Sequence, residues 1–139
     1  MTHTATASIE IAATSDRVWD ALTSPDAIRQ FMFGAEVSGD WSVGSIVTFS
    51  GSWEGTSYED KGRVTAAAHP RYLAFDFWSA LSGRPDTPEN RQPVAYTLEP
   101  AATGTKLTVT QGNNPSEEAA KQAEGNWQQT LETLRTLLT

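Results

Sequence analysis

The sequence predicts an α+β fold in which a long C-terminal helix covers one face of an antiparallel sheet of about six or seven strands. The main observation is an apolar stripe at helical spacing near the C-terminus. Its members are Trp127, Leu131, Leu134 and Leu138. A second observation is the alternation of apolar and polar residues through much of residues 36–111, which is typical of strands. A helix that follows such a sheet is expected to bury its stripe against the apolar face.

Two short helices are predicted between the first strand and the rest of the sheet. The first strand is an alternating segment at residues 7–12. Thr14 is a candidate N-cap for a helix that reaches about Thr23. Ser24 before Pro25 then opens a second short helix, because proline suits the first helical position.

The remaining strands are period-two segments separated by turn signals. They cover residues 47–53, 58–68, 72–78, 94–99 and 105–111. The long helix is predicted over residues 115–138, with Asn114 as its N-cap and Glu117 as the partner in a capping box. Gly125 lies inside this helix, where glycine costs about 1 kcal/mol relative to alanine, so a packing or bending reason is expected.

Residues 79–93 form a polar loop that is longer than most connections, so it is either a functional rim or an inserted segment. It contains four charged residues, which are expected to contact water. They are Arg84, Asp86, Glu89 and Arg91.

Composition limits the classes of function. The chain has 139 residues and no cysteine, which predicts one domain over residues 1–139 without disulfides or thiolate metal sites. A net charge of −7 argues against binding to nucleic acid or to an anionic membrane. The N-terminus has no secretory signal and no stretch is long and apolar enough to span a membrane, so a cytoplasmic location is expected.

The order of elements and several local motifs resemble a known family. Residues 14–31, TSDRVWDALTSPDAIRQF, are similar to the opening of SRPBCC proteins, the START/Bet v1-like superfamily. Within it, the best match is the single-domain group named for its similarity to the activator of the Hsp90 ATPase. Later motifs agree in order, namely Val43-Gly44, Gly62-Arg63-Val64, PRYLAF at residues 70–75, and Gly125-Asn126-Trp127.

The resemblance implies a helix-grip architecture, in which a curved sheet wraps around the C-terminal helix and leaves a cavity between them. Inward-facing strand positions and the helix stripe supply the candidate ligand-binding residues. They are Phe49, Trp53, Phe75, Phe77, Tyr96, Gln111, Trp127 and Leu131. The alternative is that the same aromatic residues form an ordinary packed core.

Gln111 shares the apolar strand face of Leu107 and Val109, which places an amide in an apolar interior. A buried amide needs hydrogen-bond partners. Tyr96 on the neighbouring strand, a ligand, or water at the strand end could supply them.

No catalytic or metal-binding motif is recognisable, so no cofactor and no metal are expected. The two histidines, His3 and His69, are isolated from each other, and no glycine-rich phosphate loop is present. Among the carboxylates, Asp60 shares the face of Gly62 and Val64, yet it is expected at a solvated edge because it lies close to a turn.

Three functions therefore remain open. The preferred hypothesis is binding of a small apolar or amphipathic molecule between sheet and helix. The resemblance also allows an enzyme of the superfamily's cyclase or hydrolase kind that uses the same cavity, although the protein is expected not to be an enzyme. It further allows a protein-interaction domain that contacts an Hsp90-type chaperone. A monomer is the default, and the superfamily also forms dimers.

Overall fold

The structure, a computed structural model, describes residues 3–32, 34–79 and 83–139, with Trp53 described by its backbone alone. Within these residues the chain forms seven strands and three α-helices. The strands are β1 (His3–Ile11), β2 (Glu36–Ser38), β3 (Ile46–Trp53), β4 (Thr56–Ala68), β5 (Tyr72–Trp78), β6 (Gln92–Ala101) and β7 (Gly104–Asn114). The helices are α1 (Ser15–Thr23), α2 (Pro25–Phe31) and α3 (Glu117–Leu138).

The strands pair in one antiparallel sheet with the order β1-β7-β6-β5-β4-β3-β2. Alternate residues point toward α3, and this inner face of the sheet carries the buried apolar side chains. They include Ile9, Val47, Val64, Leu73, Leu98 and Leu107. Strand alternation thus produces one apolar face, which matches the predicted α+β helix-grip architecture.

The two short helices begin at the predicted caps. The Thr14 hydroxyl oxygen accepts a hydrogen bond from the amide of Arg17 at 3.2 Å. Ser24 does the same for Ala27 at 3.4 Å, and Pro25 occupies the first turn of α2. The helices bury their apolar residues in the same core as the sheet. These residues are Val18, Ala21, Leu22, Ile28 and Phe31.

Helix α3 runs for 22 residues and buries Leu131 and Leu134 in the core. Its N-cap is Ser116, whose hydroxyl accepts a hydrogen bond from the amide of Ala119 at 3.0 Å. The prediction of Asn114 as the cap was wrong, because Asn114 is still paired with β1 as the last residue of β7. No helix in the described part of the chain is both long and apolar enough to cross a membrane.

Gly125 has no close neighbour in the folded protein. A Cβ added to it would have no heavy atom within 4 Å, apart from its chain neighbours and the backbone of its own helix. Within the described residues, Gly125 thus shows no packing reason for its place inside the helix, and the bending reason stays a prediction.

The described part of the β5–β6 loop is held by side-chain contacts. The indole N–H of Trp78 donates to the carbonyl of Arg84 at 3.0 Å. The Asp86 carboxylate lies 3.6 Å from Lys61 Nζ and 3.3 Å from Arg91 Nε. The prediction that the loop charges contact only water was thus wrong for Asp86 and Arg91, because the loop folds back over β4.

Candidate ligand cavity

A cavity of about 290 Å³, partly open to solvent, lies between the inner face of the sheet and the first half of α3. Strands β3 to β7 form one side, and α3 with the end of α2 forms the other. The lining residues are Met32, Ala35, Phe49, Tyr58, Asp60, Phe75, Phe77, Val94, Gln111, Ala123, Asn126, Trp127 and Thr130. The volume is near the lower end of the range of about 300–1,000 Å³ that is typical of small-molecule sites.

Three phenylalanines form an aromatic floor in the cavity. The ring centroids of Phe49, Phe75 and Phe77 are 6.1–6.5 Å apart, at tilted or edge-to-face angles. Such arrangements are favourable for aromatic pairs. The buried indole of Trp41 packs edge-on against Phe49 and Phe75 and so supports the floor.

The floor depends on a glycine. Gly62 of β4 faces the ring of Phe75, and a Cβ at Gly62 would lie only 2.8 Å from Phe75 Cδ2. Because real carbon atoms do not approach so closely, glycine allows the ring to lie against the strand. The absence of a side chain at Gly62 therefore allows the ring of Phe75 to lie deeper in the cavity floor.

Strand β4 contributes the polar wall of the cavity, Tyr58 and Asp60. These residues are two apart and share the inner face, opposite Gly51 and Phe49 of β3. The Tyr58 hydroxyl lies 2.8 Å from the position of a Cβ on Gly51, so Gly51 makes room for the phenol. Partial burial raises the pKa of Tyr58, and the negative charge of Asp60 raises this pKa further.

A chain of amide hydrogen bonds fixes the opposite wall. The Trp127 indole N–H donates to Gln111 Oε1 at 2.7 Å, and Gln111 Nε2 donates to Gln92 Oε1 at 3.0 Å. Gln92 Nε2 then donates to Asn114 Oδ1 at 3.1 Å. Asn114 Nδ2 completes the chain with the carbonyls of His3 and Gln111, both at 2.8 Å. The chain thus connects α3 with three strands and holds the indole in place.

Tyr96 lies beneath the cavity. Its side chain is 1% exposed, and its ring makes an edge-on contact with Trp127 at 5.9 Å between centroids. Burial raises the pKa of its phenol well above the ordinary value of 10.0. Tyr96 therefore supports the wall as a neutral aromatic residue.

The sequence and the fold are similar to those of known proteins. The family model described as Activator of Hsp90 ATPase homolog 1-like protein matches residues 12–139. The chain belongs to this family. The family resemblance found in the sequence is thus confirmed, while no curated protein matches the chain significantly.

Solved structures agree with the family assignment. A protein from Cytophaga hutchinsonii is 38% identical, with a TM-score of 0.85 and coverage of 98% of this chain and 93% of that one. A protein from Mesorhizobium loti is 27% identical, with a TM-score of 0.78 and coverage of 98% and 96%. The Aha1 dimer from Colwellia psychrerythraea is 19% identical, with a TM-score of 0.75 and coverage of 98% and 96%, and this likeness shows the fold alone.

The structure separates the eight sequence-predicted ligand residues into three groups. Five line the cavity, and they are Phe49, Phe75, Phe77, Gln111 and Trp127. Tyr96 and Leu131 do not line it and are each 1% exposed, because the ring of Tyr96 packs behind Trp127 and Leu131 belongs to the packed core. The side chain of Trp53 lies outside the described part of the structure.

The structure corrects the prediction for Asp60 and identifies the hydrogen-bond partners of Gln111, which the sequence left open. Asp60 was expected at a solvated edge, whereas it lines the cavity, because β4 continues back to Thr56 and moves the turn away from it. Gln111 bonds to Trp127 and Gln92 and has no hydrogen bond to Tyr96, because its cross-strand neighbour on β6 is Val94.

Other lining residues were missed by sequence reasoning. Tyr58 shares the alternating face of Asp60 and Gly62, and this signal was sufficient to place it inside. Ala123, Asn126 and Thr130 lie on the α3 face of Trp127, at three- and four-residue spacing. Because these three side chains are small or polar, they do not belong to the apolar stripe that predicted the helix.

Proposed function

We propose that the protein binds a small apolar or amphipathic molecule in the cavity between the sheet and α3. The observation that supports this proposal is the combination of an aromatic floor with polar groups on two opposite walls. Apolar surface buries the body of a ligand, and a few fixed polar groups orient it. The expected location of the protein is the cytoplasm.

The shape of α3 also supports binding rather than a packed core. Ala123 and Thr130 are short, so the helix does not fill the space above Phe49 and Phe77. Trp127 meanwhile is restrained by its hydrogen bond to Gln111 and does not occupy that space itself. The hydrogen bond therefore opposes movement of the indole into the cavity.

Ligand binding can be tested with N-phenyl-1-naphthylamine, a neutral dye that fluoresces in apolar sites. The variant Ala123→Leu adds three carbons inside the cavity and should weaken dye binding by about tenfold or more, because the larger side chain takes up space that the dye needs and such overpacking costs about 1–3 kcal/mol. The matched control is Ala119→Leu, one turn earlier on α3 and outside the cavity lining.

Saturable fluorescence that Ala123→Leu lowers and Ala119→Leu leaves unchanged would support the proposal. No saturable signal, or an equal response of the two variants, would reject it. Thermal unfolding of both variants shows whether either substitution disturbs the fold.

A second candidate is an enzyme that uses the same cavity, favoured by the carboxylate of Asp60 beside the phenol of Tyr58. Such a pair could exchange a proton with a bound substrate. Hydrolysis of small aryl esters tests this candidate. Activity that Asp60→Asn and Tyr58→Phe both abolish, with dye affinity retained, would replace simple binding by catalysis.

A third candidate is contact with an Hsp90-type chaperone, which family membership allows. The ATPase rate of purified Hsp90, measured with and without the protein, tests it, and an unchanged rate would dispose of it. The Colwellia psychrerythraea protein is a dimer, so dimerisation of this chain is also a candidate. Sedimentation velocity decides between monomer and dimer.

A further inference from the structure

The charge of the cavity-lining residues restricts the chemical class of the ligand more than the shape of the cavity does. Asp60 is the one acidic residue among the cavity-lining residues in the described part of the chain. No lysine, arginine or histidine is among the described lining residues, although the chain contains ten lysines and arginines. The described part of the cavity lining therefore contains one acidic side chain and no basic one.

The basic residues closest in sequence to Asp60 are directed elsewhere. Lys61, the next residue, lies on the outer face of β4, where it approaches Asp86 at 3.6 Å and the ring of Trp78 at 6.0 Å from its centroid. Arg63 is exposed on the same outer face, opposite Asp76 of β5. Alternation along β4 thus keeps these cations outside while Asp60 faces inward. Asp60 also has an interaction within the protein.

The remaining lining groups suit a cation with an apolar body. The faces of aromatic rings attract cations, and Asp60 shares the cavity lining with its cross-strand neighbour Phe49 and with Phe77. On the far wall, the Gln111 amide oxygen already accepts a hydrogen bond from Trp127. Asp60 and Gln111 lie on β4 and β7, which are three strand spacings or about 14 Å apart along the sheet. An apolar body between them fits the floor of Phe75 and Val94.

We infer that the preferred ligand is a small amine, with its apolar part on the phenylalanine floor and its ammonium group beside Asp60. This inference rests on the proposed function, because it concerns the ligand of the same cavity. A carboxylate of the same shape is expected to be rejected, since it would bring a second negative charge next to Asp60, and the described lining residues include no basic side chain. The net charge of −7 also favours a cationic ligand, because it attracts cations to the protein and repels anions.

The test uses three probes that share one apolar body: 2-phenylethylamine, 2-phenylethanol and 3-phenylpropanoate. Their affinities are measured at neutral pH by displacement of the neutral dye N-phenyl-1-naphthylamine. The amine should bind at least about tenfold tighter than the carboxylate, with the alcohol between them, because the ammonium adds an opposite charge beside Asp60, the alcohol adds only a neutral donor, and the carboxylate adds a like charge. This order is measured on the unmodified protein and does not depend on a variant.

Two isosteric variants assign the effect to Asp60. Asp60→Asn should remove the preference for the amine and leave the affinity for the alcohol unchanged. Asp76→Asn is the matched control, because it removes the same charge from the outer face of β5, outside the cavity lining. It should leave all three affinities unchanged. Thermal unfolding is recorded for both variants as a check of the fold.

The possible results separate the two proposals. If the dye and the alcohol bind but the carboxylate binds as well as the amine, the cavity binds ligands and the amine inference fails. If Asp60→Asn folds and keeps the preference for the amine, the inference fails as well. If neither the dye nor any probe binds, the proposed function fails and the amine inference fails with it.

Discussion

The two halves of α3 face the same sheet with side chains of different size. The second half, residues 131–138, presents Leu131 and Leu134, which are 1% and 0% exposed and complete the packed core. The first half presents Ala123, Asn126 and Thr130, which border the cavity. Trp127 also belongs to the first half and lines the cavity. The difference in side-chain size shows that one part of a helix can pack closely on a sheet while the other part leaves a cavity beneath it.

Truncation of one residue in each half gives the largest expected contrast. Leu134→Ala should lower the free energy of unfolding by about 2–5 kcal/mol, because it leaves a void in a packed core, and dye affinity should stay the same. Trp127→Ala should lower the free energy of unfolding by less than about 3–5 kcal/mol, the loss that is typical of a fully packed tryptophan. It should, however, weaken binding of the dye.

Urea unfolding and dye titration of both variants measure the contrast. Equal stability losses, with no change in dye affinity for either variant, would show that both halves of α3 are packed alike. Trp127→Phe is a useful control, because it keeps an aromatic ring but removes the hydrogen bond to Gln111.

Tyr96 tests the border between the packed core and the cavity. Burial raises the pKa of its phenol above 10.0, so the folded state keeps the proton to a higher pH than the unfolded state does. The free energy of unfolding should therefore be unaffected below about pH 10 and then fall with rising pH, by about 1.4 kcal/mol per pH unit for this group. Tyr96→Phe should remove that part of the decline.

Unfolding at several alkaline pH values, in the unmodified protein and in Tyr96→Phe, provides the measurement. Tyr58→Phe is the control, since the pKa of Tyr58 is also raised but its side chain is only partly buried, so its share of the decline should be smaller. Parallel pH curves for the unmodified protein and Tyr96→Phe would mean that Tyr96 is accessible to water.

Gly125 gives the smallest expected effect and concerns the first half of α3 alone. Gly125→Ala should stabilise the protein by about 1 kcal/mol, because alanine is the better helix former and its methyl group meets no neighbour. Dye affinity should not change, since Gly125 is outside the cavity lining. A loss of stability in thermal unfolding would reveal a contact on this exposed side of the helix.

Gly62→Ala is the opposite case and serves as the control for that substitution. Its new methyl group would press on Phe75, so the protein should lose stability and the shape of the cavity floor should change. Dye affinity should fall in Gly62→Ala and stay unchanged in Gly125→Ala.

Much of the fold followed from local signals in the sequence. Thr14 and Ser24 were correctly predicted as caps, because a capping hydroxyl acts on backbone amides three residues away. Asn114 also has the chemistry of a cap, and it failed as one because its pairing with β1 extends the strand. That pairing joins residues more than a hundred positions apart, so no local signal could reveal it.

The cavity was less predictable than the fold. Alternation placed Phe49, Phe75 and Phe77 on the inner face, since side-chain direction along a strand has a fixed period. The same rule indicated Asp60, but the position of the turn after β3 was not known from the sequence, and the turn decides whether a strand end is solvated. Which inward residues border a void and which are packed, as with Trp127 and Leu131, depends on how closely α3 approaches each strand.

The sequence by itself determined the order of elements, the inner face of each strand and the family of the chain, because these depend on periodicity and on short motifs. The tertiary structure alone decided that Asp60 lines a cavity, and that Gln111 is shared by Trp127 and Gln92. The physical reason is that periodicity fixes the direction of a side chain, whereas an open space depends on distances between elements that are far apart in the chain.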